Sequence, residues 1–379
     1  MRTLQLQLPP SISIGSGAIE TLPEDSRIRH SQRLLFLTAA PLVAKMQAVI
    51  DRLKETHAIQ ELVFDFRGEP TFEVFGELLD QLTATPDCVI GTGGGSVLDC
   101  AKLLAALATR HQALTDIIGM QLVNPRTIQL ICIPTTAGTG SEMSPNAILV
   151  NTATQAKSAV ISRELVPDAV ILDPDLTREL PPHITAETGM DALSHCIEAY
   201  TNINAHPVID HYALEGIRLI ANNLKKAVQE GNSVEARTAL LLGSMYGGIC
   251  LGPVNTAAVH ALSYGLGGKY HVGHGLANAM LLAPVFEFNA PASPQRHAEV
   301  ARALGATATG INECIAEGAE CLRSLAAECG IPLKLSDIGI PEAAIPELVA
   351  TAMQVTRLLN NNPRKMTPED AENIYRQLF

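Results

Sequence analysis

Four side chains that can bind a metal occur in two segments of the 379-residue sequence. The segment GMDALSHCIEAY places Asp191 and His195 four residues apart, and a helix would put both on one face. The segment NTAAVHALSYGLGGKYHVGHGLANAM carries His260 and His274 among small and apolar residues. One carboxylate and three imidazoles suit Fe(II) or Zn(II) and leave a position for a substrate oxygen. These residues predict a metal site.

Other interpretations of the same residues stay open. An Asp–His pair at this spacing is also a common hydrogen bond on a helix, and His260 alone fits a buried histidine with a polar partner. His271, three residues before His274, is an alternative ligand. Glu198 lies on the same predicted helix face as Asp191. Its two interpretations are a residue that contacts the metal ligands and a residue with a purely structural role.

Two glycine-rich segments predict a second kind of site. GTGGGSVLDCAK, residues 91–102, joins an apolar run to a helix-like one, and Ser96 can cap that helix, whose free N–H groups favour an anion. IPTTAGTGSEMSP, residues 133–145, adds hydroxyl groups from Thr135, Thr136, Thr139 and Ser141. Each segment alone also fits a plain turn. Together they favour a pyrophosphate, and Lys157 is either a cation beside it or a surface residue.

The elements that must position these residues differ between the two halves of the chain. Up to about residue 175, strand candidates (RLLFLTAA, ELVFDF, CVIGTGGG, IQLICIPTT and AVILDP) alternate with helix-like segments. This alternation predicts a parallel sheet with helices on both faces, and ligands bind such sheets beyond the carboxyl ends of the strands. Both glycine-rich segments fall at such ends.

Long helical segments follow Pro181 and Pro182, with little alternation typical of strands. A chain of this length also exceeds one compact core. We therefore predict an α/β domain over residues 1–180 and an all-helical domain over residues 181–379.

The composition excludes several classes of protein. A hydrophobic content of 47% with 17% charged residues is typical of a globular protein. The net charge of −12 argues against nucleic acids or anionic membranes as partners. No stretch approaches the roughly 20 apolar residues of a membrane span, and MRTLQLQLPP lacks the pattern of a secretory signal. Eight cysteines without a CxxC pair indicate reduced thiols, so we expect a cytoplasmic protein.

Taken together, these segments resemble the iron-containing (group III) alcohol dehydrogenases. The matching pieces follow the family's order and spacing over nearly the whole chain: GSGAIE, GGGSVLDCAK, IPTTAGTGSEMSP, LPPHITAETGMDALSHCIEAY and VHALSYGLGGKYHVGHGLANAMLLAPVFEFN. The resemblance implies a Rossmann-like nucleotide-binding domain followed by a helical metal-binding domain, the fold shared with dehydroquinate synthase. It places the active site between the two.

The resemblance also implies roles for particular residues. The metal, Fe(II) or alternatively Zn(II), would be held by Asp191, His195, His260 and His274. NAD or NADP would be bound by Gly94, Gly95, Ser96, Asp99, Thr135, Thr136, Thr139 and Lys157. The reaction implied is reversible oxidation of an alcohol to an aldehyde or ketone, with the metal as a Lewis acid on the substrate oxygen. Family members are commonly dimers or larger, so we expect a homo-oligomer.

Three positions depart from the family pattern. Tyr264 stands where a histidine often helps proton transfer; a tyrosine can relay a proton, but its ordinary pKa near 10 makes it a poorer base. Ala39 replaces an aspartate that in many members binds the ribose and repels a 2′-phosphate. Glu69, in GEPTF, carries a charge that would oppose a 2′-phosphate. The choice between NAD and NADP therefore stays open.

Rival functions remain at this point. A glycerol dehydrogenase, a dehydroquinate synthase or a maleylacetate reductase would share the architecture, although Asp191 followed by His195 favours the alcohol dehydrogenases. Rivals of a different class are a metal-dependent hydrolase and a non-catalytic nucleotide-binding protein. With 4% aromatic residues and no Trp, the chain offers few stacking surfaces, which favours a small aliphatic alcohol, diol or aldehyde as substrate.

Overall fold

The computed structural model describes residues 2–66, 68–153 and 156–379. It divides the chain into two units. The sheet unit comprises Gln7–Thr136 and Ser141–Thr177, and the helical unit comprises Met1–Leu6, Ala137–Gly140 and Arg178–Phe379. The domain limits predicted above, 1–180 and 181–379, remain a prediction.

The sheet unit contains the strands β1 (Ile12–Ile14), β2 (Arg33–Ala39), β3 (Ala58–Phe64), β4 (Cys88–Gly93), β5 (Gly119–Met120), β6 (Gln129–Pro134), β7 (Asn146–Asn151), β8 (Ala156–Ile161) and β9 (Ala169–Leu172). Within the described residues, six of them form a parallel sheet in the order β1-β9-β6-β4-β2-β3. A smaller sheet, β5-β8-β7, pairs β7 with β8 antiparallel. The predicted parallel sheet is confirmed, whereas β1 and the smaller sheet are findings of the structure.

Helices cover the large sheet on both faces because its central strands are apolar on both. The helices of this unit are α1 (Ser26–Arg29), α2 (Val43–Lys54), α3 (Phe72–Asp80) and α4 (Gly95–Leu107). Along β2, Leu35 and Leu37 pack in one core with α4, while Leu34 and Phe36 pack in the other with α2. Such continuous apolar strands are typical of buried parallel sheets. Each fully buried leucine contributes about 1.5–3 kcal/mol to stability.

The helical unit contains α5 (Pro182–Thr201), α6 (Pro207–Gln229), α7 (Val234–Leu251), α8 (Ala258–Tyr270), α9 (His274–Asn289), α10 (Pro294–Ala303), α11 (Ile311–Glu328), α12 (Ile345–Gln354), α13 (Thr356–Leu359) and α14 (Pro368–Arg376). The described part of Arg178–Phe379 forms helices and no strand, as predicted. Proline at the first position of α5 and of α6 suits a helix start, because that N–H has no partner within the helix.

Helix α5 is the centre of the helical unit. It packs against α6, α7 and α9, and most of its residues from Thr185 onward are buried. A helix buried on all sides holds its side chains in fixed rotamers, so it is a rigid support for a site. Among the helices of the described residues, none has the combination of length and apolar character that crossing a membrane requires.

Candidate metal centre and cofactor loops

Helix α5 carries the first two predicted ligands into the interior of the helical unit. Asp191 and His195 are only 2% and 4% exposed, and Asp191 Oδ1 lies 3.8 Å from His195 Nε2. Helix α7 passes close to His195 at Gly247, where a Cβ would lie 3.2 Å from the Cβ of His195. The glycine therefore lets the two helices approach each other at the level of the ligand.

Helices α8 and α9 bring the other two predicted ligands to the same carboxylate. Asp191 Oδ1 lies 3.7 Å from His260 Nε2 and 3.7 Å from His274 Nε2. His274 is the first residue of α9, and a Cβ on the next residue, Gly275, would lie 2.5 Å from the Glu187 carbonyl oxygen of α5. That close approach of α9 to α5 places His274 beside Asp191.

Asp191, His195 and His260 form a group whose donor atoms all lie within 4.8 Å of one another, and His274 joins this group through its 3.7 Å distance to Asp191 Oδ1. Metal–ligand bonds of about 2.1 Å in a tetrahedral site place neighbouring donor atoms about 3.4 Å apart. The observed separations of 3.7–3.8 Å between Asp191 Oδ1 and the three imidazole nitrogens are slightly wider than this value. The donor set, three nitrogens and one carboxylate oxygen, is also chemically suited to Fe(II) or Zn(II). The residues predicted from the sequence thus converge around one place.

The charges of the site match what metal binding requires. Burial alone would raise the pKa of Asp191, but the neighbouring His195, His274 and His260 rings lower it to about 2. Burial lowers the pKa of His195. The site therefore keeps the Asp191 carboxylate ionised, which is the form that binds a cation.

Glu198, one turn beyond His195 on α5, contacts a predicted ligand directly. Its Oε2 lies 2.6 Å from His260 Nδ1, and its Oε1 accepts the Val259 N–H at 2.6 Å. A carboxylate cannot donate, so Nδ1 carries the hydrogen and the lone pair of Nε2 faces the other ligands. By contrast, His271 is exposed, and its left-handed backbone (φ 54°) ends α8. The structure thus favours His274 over His271 as the fourth ligand.

Asn278 was missed by the sequence analysis. It lies on α9 one turn after His274 and is fully buried, and its Nδ2 lies within hydrogen-bonding distance of three of the four predicted ligands. The available signal was its spacing, because residues four apart on a helix share a face. A single asparagine in an apolar segment matches no metal-binding or catalytic pattern, however, so the sequence alone does not indicate a role for it.

The two glycine-rich loops begin at neighbouring strand ends of the sheet unit, as predicted. β4 and β6 are adjacent and parallel, and Thr135 N–H donates to the Gly93 carbonyl. A Cβ on Gly94 would lie 3.4 Å from the Thr136 side chain, so the loops are in contact. Gly95 opens α4, and the first N–H groups of a helix have no partner within the helix and therefore favour an anion.

Two predicted cofactor residues have structural contacts in this loop. The expected cap by Ser96 is wrong: α4 begins at Gly95 after the cap residue Gly94, and the Ser96 hydroxyl donates to the Gly68 carbonyl at 2.7 Å. The Asp99 carboxylate accepts from the Ser141 hydroxyl and from the Ile148 N–H. These contacts tie α4 to the neighbouring loops, and the cofactor roles of Ser96 and Asp99 stay predictions.

The remaining predicted positions are spread over both units. Lys157, 13% exposed, forms an ion pair with Glu69, whose charge is thereby partly balanced. Ala39 is the last residue of β2 and is partly exposed. Thr139 belongs to the helical unit through the segment Ala137–Gly140. Tyr264 lies on α8, one turn after His260, and is partly buried.

Comparison with known proteins identifies the family. Residues 9–174 match the family described as iron-containing alcohol dehydrogenase, and residues 185–379 match the C-terminal part of the Fe-containing alcohol dehydrogenase family. Long-chain-alcohol dehydrogenase 1 of Geobacillus thermodenitrificans (strain NG80-2) is 35% identical over 392 aligned residues, which cover 100% of this chain and 98% of that protein.

Solved structures agree with this match. The crystal structure of a 1,3-propanediol oxidoreductase has a TM-score of 0.93 at 32% identity and covers 100% of both chains. Sulfoacetaldehyde reductase from Bifidobacterium kashiwanohense, solved in complex with NAD+, has a TM-score of 0.90 at 27% identity and covers 100% of this chain and 99% of that one. The predicted cofactors, iron with NAD or NADP, are confirmed at the level of the family. The chain therefore belongs to the iron-containing alcohol dehydrogenase family and is an NAD(P)-dependent alcohol dehydrogenase, neither a hydrolase nor a non-catalytic nucleotide-binding protein.

Proposed function

We propose that the protein transfers a hydride between NAD(P) and small aliphatic alcohols, diols or aldehydes, and that it depends on a metal held by Asp191, His195, His260 and His274. One observation carries the proposal: Asp191 Oδ1 lies 3.7–3.8 Å from a nitrogen of each of the three imidazoles. When bound, the metal supplies a Lewis acid for the alcohol or carbonyl oxygen, and the nicotinamide supplies the hydride chemistry.

The exposure of the four side chains indicates where a substrate reaches the site. The side chains of Asp191, His195 and His260 are 3–6% exposed, whereas that of His274 is 29% exposed. We infer that the substrate oxygen approaches from the side of His274. The buried remainder of the site keeps water away, which strengthens the interactions of charge within it.

The reaction also requires a path for one proton. Oxidation breaks the C–H bond, whose electron pair and hydrogen pass to the nicotinamide, and the O–H bond, whose proton leaves the site. We assign Tyr264 as the relay, because it lies one turn after His260 and is partly buried. Its hydroxyl would accept the substrate proton while passing its own to water.

We assign pyrophosphate binding to Gly94, Gly95, Ser96, Thr135 and Thr136, with Asp99, Thr139 and Lys157 completing the cofactor site. The contact between the β4 and β6 loops supports this assignment, because it concentrates backbone N–H groups and hydroxyls at one edge of the sheet. The Glu69–Lys157 ion pair and the neutral Ala39 leave both NAD and NADP as candidates.

The substrate class draws support from the relatives. 1,3-Propanediol dehydrogenase of Klebsiella pneumoniae is 32% identical over 98% of this chain, which favours a short diol or a related alcohol. All eight cysteines lie in the described part of the chain and are free thiols, and seven of them are buried. This pattern is typical of a reducing compartment, so we propose a cytoplasmic location. We also propose assembly into a homo-oligomer, on the resemblance to the family alone.

The test is an assay of the purified protein, loaded anaerobically with Fe(II) or Zn(II). A panel of short alcohols, diols, glycerol and the matching aldehydes is offered with NAD(H) and with NADP(H), and absorbance at the nicotinamide band is followed. We expect turnover with a short aliphatic substrate and its loss in Asp191→Ala and His260→Ala. Bound metal and cofactor without turnover on any member of the panel would refute the substrate class, and turnover that survives both substitutions would refute the metal site.

A further inference from the structure

Asn278 closes one side of the set of metal ligands. Its Nδ2 lies 2.7 Å from Asp191 Oδ1, 3.1 Å from His260 Nε2 and 3.2 Å from His274 Nε2. His195 is the one predicted ligand outside this set of contacts. The amide therefore faces a triangle of three donor atoms contributed by three different helices.

The contact with Asp191 is the strongest of the three. An amide nitrogen carries two hydrogens, so it cannot make three full hydrogen bonds at once. Asp191 Oδ1 accepts at the shortest distance, 2.7 Å, whereas the two imidazole nitrogens lie at 3.1 and 3.2 Å. The two imidazole contacts use lone pairs that a bound metal would take, whereas a carboxylate oxygen has a lone pair to spare.

The carbonyl oxygen of the Asn278 side chain shows that an asparagine at this position costs free energy. Asn278 Oδ1 is buried and has no hydrogen-bond partner among the described residues. An unsatisfied buried acceptor costs about 1–3 kcal/mol. An apolar residue of the same size would avoid that cost, so packing does not explain an asparagine here, but its donor group does.

We propose that Asn278 is a positioning residue of the metal centre. Its hydrogen bond holds the Asp191 carboxylate so that Oδ1 points to the place it shares with the three imidazoles, and the amide is not itself a ligand. The inference rests on the metal centre of the proposed function. It adds a side chain that sets metal affinity without touching the metal.

The test compares Asn278→Leu with a matched control, Asn289→Leu. Leucine removes the donor and keeps the number and branching of the side-chain heavy atoms. Asn289 is a buried asparagine at the end of the same helix whose amide donates to Asn362 Oδ1, away from the four ligands. The dissociation constants of Zn(II) and Co(II) are measured by competition with a chelator, and the absorption spectrum of the Co(II) protein reports the number of ligands.

We expect Asn278→Leu to weaken metal binding by about 10- to 100-fold, the usual effect of a residue that orients a ligand, with an unchanged Co(II) coordination number. Asn289→Leu should lower thermal stability and leave the dissociation constants unchanged. Equal or tighter metal binding by Asn278→Leu would overturn the proposal, and so would a lost ligand in its Co(II) spectrum. Should that variant not fold, Asn278→Ala is measured in the same way, with the same outcomes.

The inference and the proposed function fail differently. If the wild-type protein binds neither Zn(II) nor Co(II), both fall. If the wild-type protein binds them and Asn278→Leu binds them equally well, the metal centre stands and the role of Asn278 falls.

Discussion

Gly140 lies against the backbone of Gly248 on α7: a Cβ on Gly140 would lie 2.4 Å from the Gly248 Cα. Gly140 also has φ +58°, a left-handed backbone conformation that residues other than glycine adopt only at a cost in free energy. Both features fix the segment Ala137–Gly140, which carries Thr139, to the helical unit. Gly140 is therefore required by packing and by its backbone conformation, whatever the segment binds.

Substitution of Gly140 by Ala should accordingly destabilise the protein strongly. We expect a loss of about 1 kcal/mol from the left-handed backbone and about 1–3 kcal/mol from overlap with α7, measured as the free energy of unfolding in denaturant. Gly339→Ala is the control, since Gly339 has φ +79° and, among the described residues other than its chain neighbours, no heavy atom lies within 4 Å of the place that its new methyl group would take. Gly339→Ala should lower the free energy of unfolding only by the contribution of the left-handed backbone. Equal losses of stability in Gly140→Ala and Gly339→Ala would contradict the role of the Gly248 contact.

Glu198→Gln should weaken metal binding by about 10- to 100-fold. The carboxylate accepts from both His260 Nδ1 and Val259 N–H, whereas a glutamine has one accepting oxygen and must direct its NH2 group at the other partner. An NH2 group facing Nδ1 would move the imidazole hydrogen to Nε2, where it blocks the metal. Chelator competition measures the effect. Glu299→Gln, which alters an exposed carboxylate that accepts from Tyr200, is the control and should bind metal like the wild type.

Local spacing explains which parts of the site could be predicted. Asp191 and His195 share a helix face in any α-helix, so their proximity follows from the sequence alone. The approach of His260 and His274 to α5 depends on helix packing that no local pattern contains. It was predicted from the chemistry of two histidines in an otherwise small and apolar segment, and the resemblance implied the same set of ligands. Asn278 depends on the same packing and has no chemical signature, which is why it was missed.

The fold likewise contains elements that local sequence patterns predict and elements that they do not. The alternation of strand-like and helix-like segments predicted the parallel sheet, and the buried strands β2, β4 and β6 are the continuous apolar runs typical of such a sheet. The pairing of β7 with β8 joins two segments that are only partly buried, so the hydrophobic pattern is weak there. The Ser96 cap was wrong because α4 starts two residues earlier than a cap at Ser96 would require, and the exact first residue of a helix is not fixed by sequence patterns.

Glu142 should make stability fall as pH rises. It is fully buried near Lys102, and burial raises its pKa from 4.5 to about 7. A carboxyl group whose pKa is higher in the folded than in the unfolded state contributes its full stability below about pH 4.5 and loses it as pH rises through about 7. This shift in the pKa of Glu142 corresponds to about 3 kcal/mol in the free energy of unfolding. Denaturant unfolding at pH 5 and pH 8 should therefore show a smaller loss in Glu142→Gln than in the wild type, and parallel losses would contradict the assignment.

Ala39→Asp should shift the enzyme toward NAD. Ala39 ends β2, which is paired with β4, so a carboxylate there would stand beside the loop assigned to the pyrophosphate. A negative charge would repel a 2′-phosphate, and like charges brought together cost several kcal/mol. We expect kcat/KM with NADP to fall by about tenfold or more relative to NAD. Ala39→Asn is the control, because asparagine has nearly the size of aspartate but no charge, and its ratio of kcat/KM with NADP to kcat/KM with NAD should stay near that of the wild type. A similar fall of this ratio in both variants would show that size rather than charge decides. An unchanged ratio in Ala39→Asp would place the ribose elsewhere.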